Sequence, residues 1–193
     1  MEDKKEIIFN CAKELFITKG FKDTNVSDIT KMAGIAVGSF YKYYPSKEKL
    51  FIEIYLKENE ALKKSIMESV NPSDDPVKLV KDILALNFKG MNSNPILKLW
   101  YNRDLFNKLE KDFYENDGMK SIQEMTNSGM MMAIKNWKAL GKLRNDLDDN
   151  FILAIFNSIP YIDLHKEEIG LKYFPQLIDY ITEFIMKGLT TYK

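Results

Sequence analysis

Apolar side chains recur at the spacing of an α-helix along nearly the whole of this chain, and this periodicity constrains its fold more than any other feature. The first clear example is a stripe formed by Ile8, Ala12, Leu15 and Phe16, at positions i, i+4, i+7 and i+8 of a 3.6-residue repeat. No window alternates apolar and polar residues for long enough to indicate a β-strand. The sequence therefore predicts an all-α fold.

Breaks in the periodicity divide the amino-terminal part into short helices. Gly20 ends the first helix, because glycine adopts the left-handed conformation of a helix stop at the least cost. Asn25 and Asp28 form a capping pair for a second helix, which ends at Gly34. A third short helix follows, and Pro45 prevents it from continuing smoothly into the longer connecting helix beyond.

The remainder of the chain also reads as helical. The segment 71–76 (NPSDDP) is the clearest linker, and further helices are predicted near residues 77–91, 95–109, 119–140, 149–166 and 175–190. Pro160 should kink or interrupt the fourth of these. We therefore expect a first domain at residues 1–50, with a connecting helix to about residue 70, and a second domain at residues 71–193.

Charge and cysteine content narrow the setting of the chain without identifying a partner. The 193 residues include 28 basic and 28 acidic side chains, so the net charge favours no partner. A slight excess of lysine within residues 1–64 places any polyanion at the amino-terminal end. The single cysteine, Cys11, suits a reducing compartment. The most apolar segment, 151–162, is too short to span a membrane, and we expect a cytoplasmic protein without a membrane partner.

Residues 33–50 (AGIAVGSFYKYYPSKEKL) combine aromatic side chains with lysines, glycines and a proline. Two short helices joined at a glycine turn and packed on a third form a helix-turn-helix, whose second short helix enters the DNA major groove. In that arrangement Ala33, Ile35, Phe40 and Tyr44 face inward. The outward residues with donors for phosphates and base edges are Ser39, Tyr41, Lys42 and Tyr43. An isolated run of tyrosines is more often buried in a core, so the position of these residues carries the prediction.

Residues 7–51 closely resemble the DNA-binding domain of the tetracycline-repressor (TetR) family of bacterial transcriptional regulators. The matching residues are Ala12, Phe16, Gly20, Phe21, Thr24, Val26, Ile29, Ala33, Gly34, Gly38, Tyr41, Lys47 and Leu50. Beyond them, only the helical layout and the segment 141–148 (GKLRNDLD) are similar to the family's second domain. The resemblance implies a homodimeric repressor that binds a palindromic operator in double-stranded DNA and is released by a small-molecule effector.

The same resemblance implies DNA contacts at matching positions: Thr24, Asn25, Gly38, Ser39, Tyr41, Lys42, Tyr43 and Lys47. Gly38 allows the backbone to approach a phosphate closely, and Lys47 lies in a first helical turn, where the helix dipole favours an anion. Two residues depart from the family pattern. Ala36 stands where the family commonly has a serine or threonine that caps the helix, and loss of such a cap lowers helix stability by about 1 kcal/mol. Val37 replaces a residue that is often polar. Either side chain can instead contact a thymine methyl group.

The second domain is rich in aromatic residues and methionines, which suit a wide apolar cavity between helices. An ordinary helical core explains such residues more often than a pocket does. We expect some of the following residues to line an effector pocket: Trp100, Tyr101, Arg103, Phe106, Met125, Met132 and Trp137. The effector is then largely apolar, with Asn87, Tyr101, Arg103 or Asp104 as a polar anchor.

The last two predicted helices carry apolar residues on more than one stripe, as expected when a helix packs both on its own domain and on a partner. The residues predicted to form a dimer interface are Phe151, Ile155, Ile159, Ile181 and Ile185. Burial within one subunit is the alternative.

Two other functions are open to a helical chain of this composition. An enzyme needs a base beside a nucleophile or a metal, and the chain offers one histidine, His165, one distant cysteine and no metal-ligand motif. We therefore predict no catalytic residue, metal or cofactor. The other alternative is a ligand-binding or adaptor protein that kept the fold and lost operator binding, which the departures at Ala36 and Val37 would suit.

Overall fold

The computed structural model describes residues 3–114, 116–174 and 176–190, and all regular structure within these ranges is helical. This confirms the predicted all-α fold. The helices are α1 (Lys4–Thr18), α2 (Val26–Met32), α3 (Val37–Phe40), α4 (Lys47–Ser69), α5 (Pro76–Ser93), α6 (Arg103–Tyr114), α7 (Asp117–Ala139), α8 (Asp149–Leu164), α9 (Lys166–Ile169) and α10 (Gln176–Thr190), with 3-10 turns at Leu97–Tyr101 and Leu171–Tyr173. The predicted start of the last helix, Pro175, lies outside the described residues. None of the described helices is long and apolar enough to cross a membrane.

The predicted boundaries of the first helices agree with the structure because they depend on local chemistry. The side chain of Asn25 accepts a hydrogen bond from the Asp28 backbone N–H, and the Asp28 carboxylate accepts one from the Asn25 N–H. This reciprocal capping box satisfies two N–H groups that the helix itself leaves unpaired. Gly20 and Gly34 have φ angles of 83° and 65°, in the left-handed region where glycine avoids strain.

One prediction about the later helices was wrong. No single helix covers residues 95–109, because two asparagine side chains bind backbone N–H groups that a continuous helix would use. Asn94 Oδ1 accepts from Ile96 N, and Asn102 Oδ1 accepts from Leu105 N and caps α6. Pro160 was expected to kink or interrupt its helix, and α8 continues through it to Leu164 without an interruption.

The chain forms two compact units, which we call the amino-terminal unit (residues 1–62 and 90–122) and the carboxy-terminal unit (residues 63–89 and 123–193). Each has its own apolar core. The division at residues 1–50 and 71–193 stays a prediction, and the compact units group residues differently: the linker 71–76 lies inside the carboxy-terminal unit, and residues 90–122 belong to the same unit as α1–α3.

Candidate DNA-binding face and ligand cavity

The amino-terminal unit holds α3 through side chains that point into its core. Phe40 is fully buried and Tyr44 is 3% exposed, and the ring of Tyr44 lies 6.0 Å from that of Phe40. The Tyr44 hydroxyl donates to Glu53 Oε1 at 3.3 Å. Burial raises the pKa of Tyr44 above its ordinary value, and the neighbouring Glu53 carboxylate raises it further. Tyr44 is therefore a core residue, as predicted.

The other predicted residues of this segment lie at the surface. Tyr41 is 54% exposed and Tyr43 is 38% exposed. Gly38 and Lys42 are also exposed, and Ser39 is half-buried. With the exposed Val37, these residues form what we call the α3 face: Val37, Gly38, Ser39, Tyr41, Lys42 and Tyr43. The structure thus places five of the predicted DNA contacts within the six consecutive residues 38–43.

Two residues at the start of the α3 face bear on its shape. Ala36 is the N-cap of α3 and makes no side-chain capping bond, so the departure from the family pattern leaves this helix end uncapped. At Gly38, a Cβ atom would find no neighbouring atom within 4 Å. The absence of a side chain at Gly38 is therefore not required by packing within the protein.

Thr24 and Lys47, two of the predicted DNA contacts, have hydrogen-bond partners inside the protein, as does a third, Asn25, in the capping box of α2. Thr24 is 1% exposed, and its hydroxyl donates to the carbonyl oxygens of Gly20 at 2.8 Å and Leu15 at 3.3 Å. Lys47 Nζ donates to the carbonyl oxygens of Phe21 at 2.8 Å and Thr24 at 2.5 Å. Burial of this ammonium group lowers the pKa of Lys47. Both side chains fasten the turn between α1 and α2, and neither presents its full donor set to a ligand.

Two exposed lysines were missed in the sequence. Lys22 lies in the turn before α2 and Lys31 lies in its last turn, and neither forms an ion pair with a described residue. By contrast, Lys49 pairs with Asp112 at 2.8 Å. An acidic partner as distant in the sequence as Asp112 cannot be identified from the residues around Lys49. The sequence alone therefore could not distinguish lysines that form ion pairs from lysines that do not.

The carboxy-terminal unit encloses a cavity of about 210 Å³ between α4, α5, α7 and α8, which we call the carboxy-terminal cavity. Most of its lining is apolar, including Ile83, Met130 and Phe156. Its polar lining residues are Lys63, Asn87, Thr126 and Asn157. Such a cavity, largely apolar with few polar groups, is typical of a site for a small organic molecule.

Lys63 is the one lining residue that titrates in the physiological range. Its Nζ donates to Asn87 Oδ1 at 2.6 Å, and burial lowers the pKa of Lys63 to about 8. None of the described residues that line the cavity is Asp or Glu. The cavity therefore holds a partly desolvated cation without an anionic partner.

None of the seven residues predicted to line an effector pocket belongs to the lining of this cavity: Trp100, Tyr101, Arg103, Phe106, Met125, Met132 and Trp137. The first four belong to the amino-terminal unit, where the Trp100 ring stacks on that of Tyr55 at 5.6 Å. In α7, Met132 is 72% exposed and Trp137 is fully buried. Asn87, suggested as a polar anchor, does line the cavity. One sequence signal could have indicated the position of this cavity: Lys63 interrupts an apolar stripe of α4 that continues to Ile66 and Met67.

The residues predicted for a dimer interface are divided by their burial. Ile159 is 1% exposed and packs in the core of its own unit, whereas Phe151 is 56% exposed. Ile155, Ile181 and Ile185 are half-buried. Further exposed aromatic side chains on α8 and α10 were missed: Tyr161, Tyr180 and Phe184. We call Phe151, Tyr161, Tyr180 and Phe184 the α8/α10 face.

Comparison with known proteins extends this description. The model of the family described as bacterial regulatory proteins, tetR family, matches residues 8–54. The HTH-type transcriptional regulator YuxN of Bacillus subtilis is 41% identical over 54 residues, which cover 28% of this chain and 19% of YuxN. The HTH-type transcriptional repressor KstR2 of Mycolicibacterium smegmatis is 20% identical over 189 residues, 93% of this chain and 91% of KstR2. This chain thus spans about a fifth of the length of YuxN and nearly all of KstR2.

Solved structures share the fold over nearly the whole chain. The repressor FadR of Thermus thermophilus, of the TetR family and in complex with lauroyl-CoA, aligns with a TM-score of 0.65 at 19% identity, over 98% of this chain and 96% of that one. At this level of identity the likeness concerns the fold. The structural similarity therefore includes the helices that follow residues 8–54 as well as the segment that the family model matches.

Proposed function

Because residues 8–54 match the model of the tetR family of bacterial regulatory proteins, we propose that the chain is a DNA-binding transcriptional regulator. The match confirms the resemblance noted for residues 7–51. The observation that carries the proposal is the α3 face, where the hydroxyl and ammonium groups of Tyr41, Lys42 and Tyr43 are exposed beside Gly38. Exposed donors in the turn that directly follows the second helix of a helix-turn-helix suit the DNA major groove.

Within this proposal, the residues of the amino-terminal unit take different parts. The α3 face contacts phosphates and base edges, and the open space at Gly38 lets a phosphate come close to the backbone. Lys22 and Lys31 add affinity that does not depend on sequence and that falls as salt rises. Thr24 and Lys47 position the turn before α2, and Asn25 caps that helix.

We propose that the regulator acts as a homodimer through the α8/α10 face. Large aromatic side chains are exposed on both helices, which contact each other within the subunit, and a second copy would cover them through a two-fold, self-complementary interface. A palindromic operator then requires two α3 helices about 34–36 Å apart. Of the residues predicted for this interface, Phe151 is exposed and belongs to the α8/α10 face, whereas Ile159 is buried in the core of its own unit.

We propose further that a small effector occupies the carboxy-terminal cavity and releases the repressor from DNA. The apolar lining supports an effector with a large apolar part. The name of KstR2 describes a repressor, and the T. thermophilus FadR structure holds lauroyl-CoA, a ligand with a long apolar chain. The chain needs no catalytic residue for this function.

The experiment that tests DNA binding is fluorescence anisotropy of the purified protein on labelled duplex DNA from directly upstream of its own gene, measured over a range of salt. We expect Lys42→Ala to weaken binding and to lower the slope of log affinity against log salt by about 1, because one phosphate contact is lost. Lys135→Ala is the matched control, since Lys135 is an exposed lysine of α7 in the other unit.

Gly38→Ala separates folding from DNA contact. The added methyl group meets no atom within 4 Å, so we expect unchanged thermal stability and weaker DNA binding. Loss of stability together with binding would instead make Gly38 a structural residue. A dimeric protein with no salt-sensitive affinity for upstream or selected genomic DNA would support the adaptor function, for which the uncapped α3 is the specific observation.

A further inference from the structure

The carboxy-terminal cavity contains a positive charge that the protein itself does not neutralise. Lys63 lines the cavity and its single described hydrogen-bond acceptor is Asn87 Oδ1 at 2.6 Å. Among the described residues, no titratable side chain lines the other walls, since α5, α7 and α8 contribute Asn87, Thr126 and Asn157 as their polar lining. Buried or half-buried cations are normally paired with an anion, so Lys63 lacks the negatively charged partner that such a group usually has.

The polar lining lies at one end of the cavity. Lys63 donates a hydrogen bond to Asn87. Among the residues of α4 and α5 that line the cavity, these two lie farthest along each helix from the turn that connects α4 to α5. Trp137 of α7 donates to the Asp74 carbonyl oxygen in that turn at 3.2 Å, and Thr126 lies roughly three helical turns away from Trp137 along α7. Thr126 therefore lies toward the same end as Lys63.

The position of α8 agrees with this polarity. Asn157 Nδ2 donates to Asn127 Oδ1 at 3.0 Å, which places Asn157 beside Thr126. At the opposite end, near the turn between α4 and α5, the lining consists of apolar residues such as Val70, Leu79 and Val80. The cavity thus has a polar end with one cation and an apolar end.

We propose that the ligand of this cavity is an amphipathic carboxylate, with its acid group bound by Lys63 and Asn87 and its apolar part directed toward Val70 and Val80. This inference rests on the proposed function for its effector role and narrows the effector from a largely apolar molecule to an organic acid. A carboxylate accepts from the ammonium group of Lys63, and the Asn87 amide can donate to its second oxygen. A neutral or cationic head group cannot supply the missing negative charge.

The experiment measures binding to the full-length protein by isothermal titration calorimetry, below the micelle concentration of each probe. The probes are straight-chain carboxylates from hexanoate to dodecanoate, each paired with the alcohol and the amine of equal length. We expect the best carboxylate to bind about 10- to 100-fold more tightly than its alcohol, because the hydrogen bonds are charge-assisted. The amine should bind more weakly than the alcohol.

Two lysine variants locate the selectivity. Lys63→Met should remove the advantage of the carboxylate and leave the alcohol's affinity within about threefold of the wild type, since the side chains are of similar length and the apolar end is unchanged. Lys64→Met is the matched control, because Lys64 is the exposed neighbour on the same helix. It should bind every probe as the wild type does.

The pH dependence gives a second readout. With the pKa of Lys63 at about 8 in the free protein, carboxylate affinity should be nearly constant between about pH 6 and pH 7, where the probe is ionised and Lys63 is protonated. Above pH 8 it should fall by up to about tenfold per pH unit, because the neutral amine no longer attracts the acid. In Lys63→Met the affinity should not change over this range.

Equal affinity for acids and alcohols, unchanged acid selectivity in Lys63→Met, or no carboxylate binding across the series would each overturn the proposal. DNA anisotropy on the same samples distinguishes this failure from that of the proposed function. Lys63-dependent acid binding in a protein without DNA affinity supports the ligand inference and contradicts the regulator. DNA binding without acid selectivity does the reverse.

Discussion

Lys63 shows at the scale of one residue how a cation that lines an apolar cavity lowers the stability of the protein that contains it. Its pKa falls from an ordinary 10.5 to about 8 because the folded protein removes water from the ammonium group. The unfolded chain therefore holds this proton more tightly than the folded chain does. Between these two pKa values the contribution of Lys63 to the free energy of unfolding rises with pH, and below pH 8 the full penalty is present.

We therefore expect the wild type to gain stability relative to Lys63→Met between pH 7 and pH 9.5, by roughly 1–2 kcal/mol. Urea unfolding followed by circular dichroism at several pH values measures the difference. Lys64→Met, whose lysine is exposed, should follow the wild type. Parallel pH curves for the wild type and Lys63→Met would show that burial does not perturb this group.

Single residues were predictable from sequence where their chemistry is local. The capping pair of Asn25 and Asp28, and the glycine stop at Gly20, depend on neighbours within four positions. Lys47 was not predictable, because the carbonyl oxygens that bind its ammonium group belong to residues more than twenty positions earlier. A phosphate would have been an equally good partner on sequence grounds.

At the scale of the helix, α3 depends on the rest of its unit. Four residues without a side-chain cap cannot form a stable helix alone, so the buried Phe40 and the following Tyr44 hold it in place. The long helices α5, α7 and α8 were predictable because their apolar periodicity extends over several turns. The break between the 3-10 turn and α6 was missed because it depends on the side-chain conformations of Asn94 and Asn102.

Helices α8 and α10 give a test of association. We expect Phe184→Glu to weaken dimerisation by at least about 100-fold, because each interface would contain two buried and unpaired carboxylates related by symmetry. Phe184 is 65% exposed in the single subunit, so the helical circular dichroism spectrum should be retained. Sedimentation velocity measures the dimer fraction.

Leu171→Glu is the control for this prediction, since Leu171 is 57% exposed but lies outside the α8/α10 face. It should leave the dimer intact. A dimer that persists in Phe184→Glu and dissociates in Leu171→Glu would place the interface elsewhere on the carboxy-terminal unit.

For the whole molecule, ligand and DNA should compete. If an amphipathic carboxylate is the effector, saturating acid should weaken operator binding by about 5- to 150-fold, which corresponds to a coupling free energy of about 1–3 kcal/mol. Linkage requires that operator DNA weaken acid binding by the same factor. Anisotropy and calorimetry on the same complex measure both factors, and unequal values would mean that the acid also acts at another site.

The acid should not release the Lys63→Met variant from DNA at concentrations that release the wild type. This control separates occupancy of the cavity from a general effect of a detergent-like molecule. Release of both proteins at the same acid concentration would contradict an effector role for the Lys63 site.

The division of the chain into units was the least predictable feature at this scale. The polar segment 71–76 is visible in the sequence and was expected to separate two domains. In the structure it joins two helices within one unit, because packing between distant segments decides which residues share a core. Trp100 and Phe106, which were predicted to line an effector pocket, pack with each other in the amino-terminal unit and do not belong to the lining of the carboxy-terminal cavity.

The residues that anchor α3 and the residues that its face exposes are different sets, and this separation has an evolutionary consequence. Phe40 and Tyr44 maintain the backbone, while Val37, Gly38 and Tyr43 have space around them in the free protein. If the α3 face binds operator DNA as proposed, substitutions at the exposed positions can alter operator preference at little cost in folding. Duplicated genes of this type can therefore acquire new target sequences one residue at a time, and an engineer can vary the same positions in a library without first stabilising the scaffold.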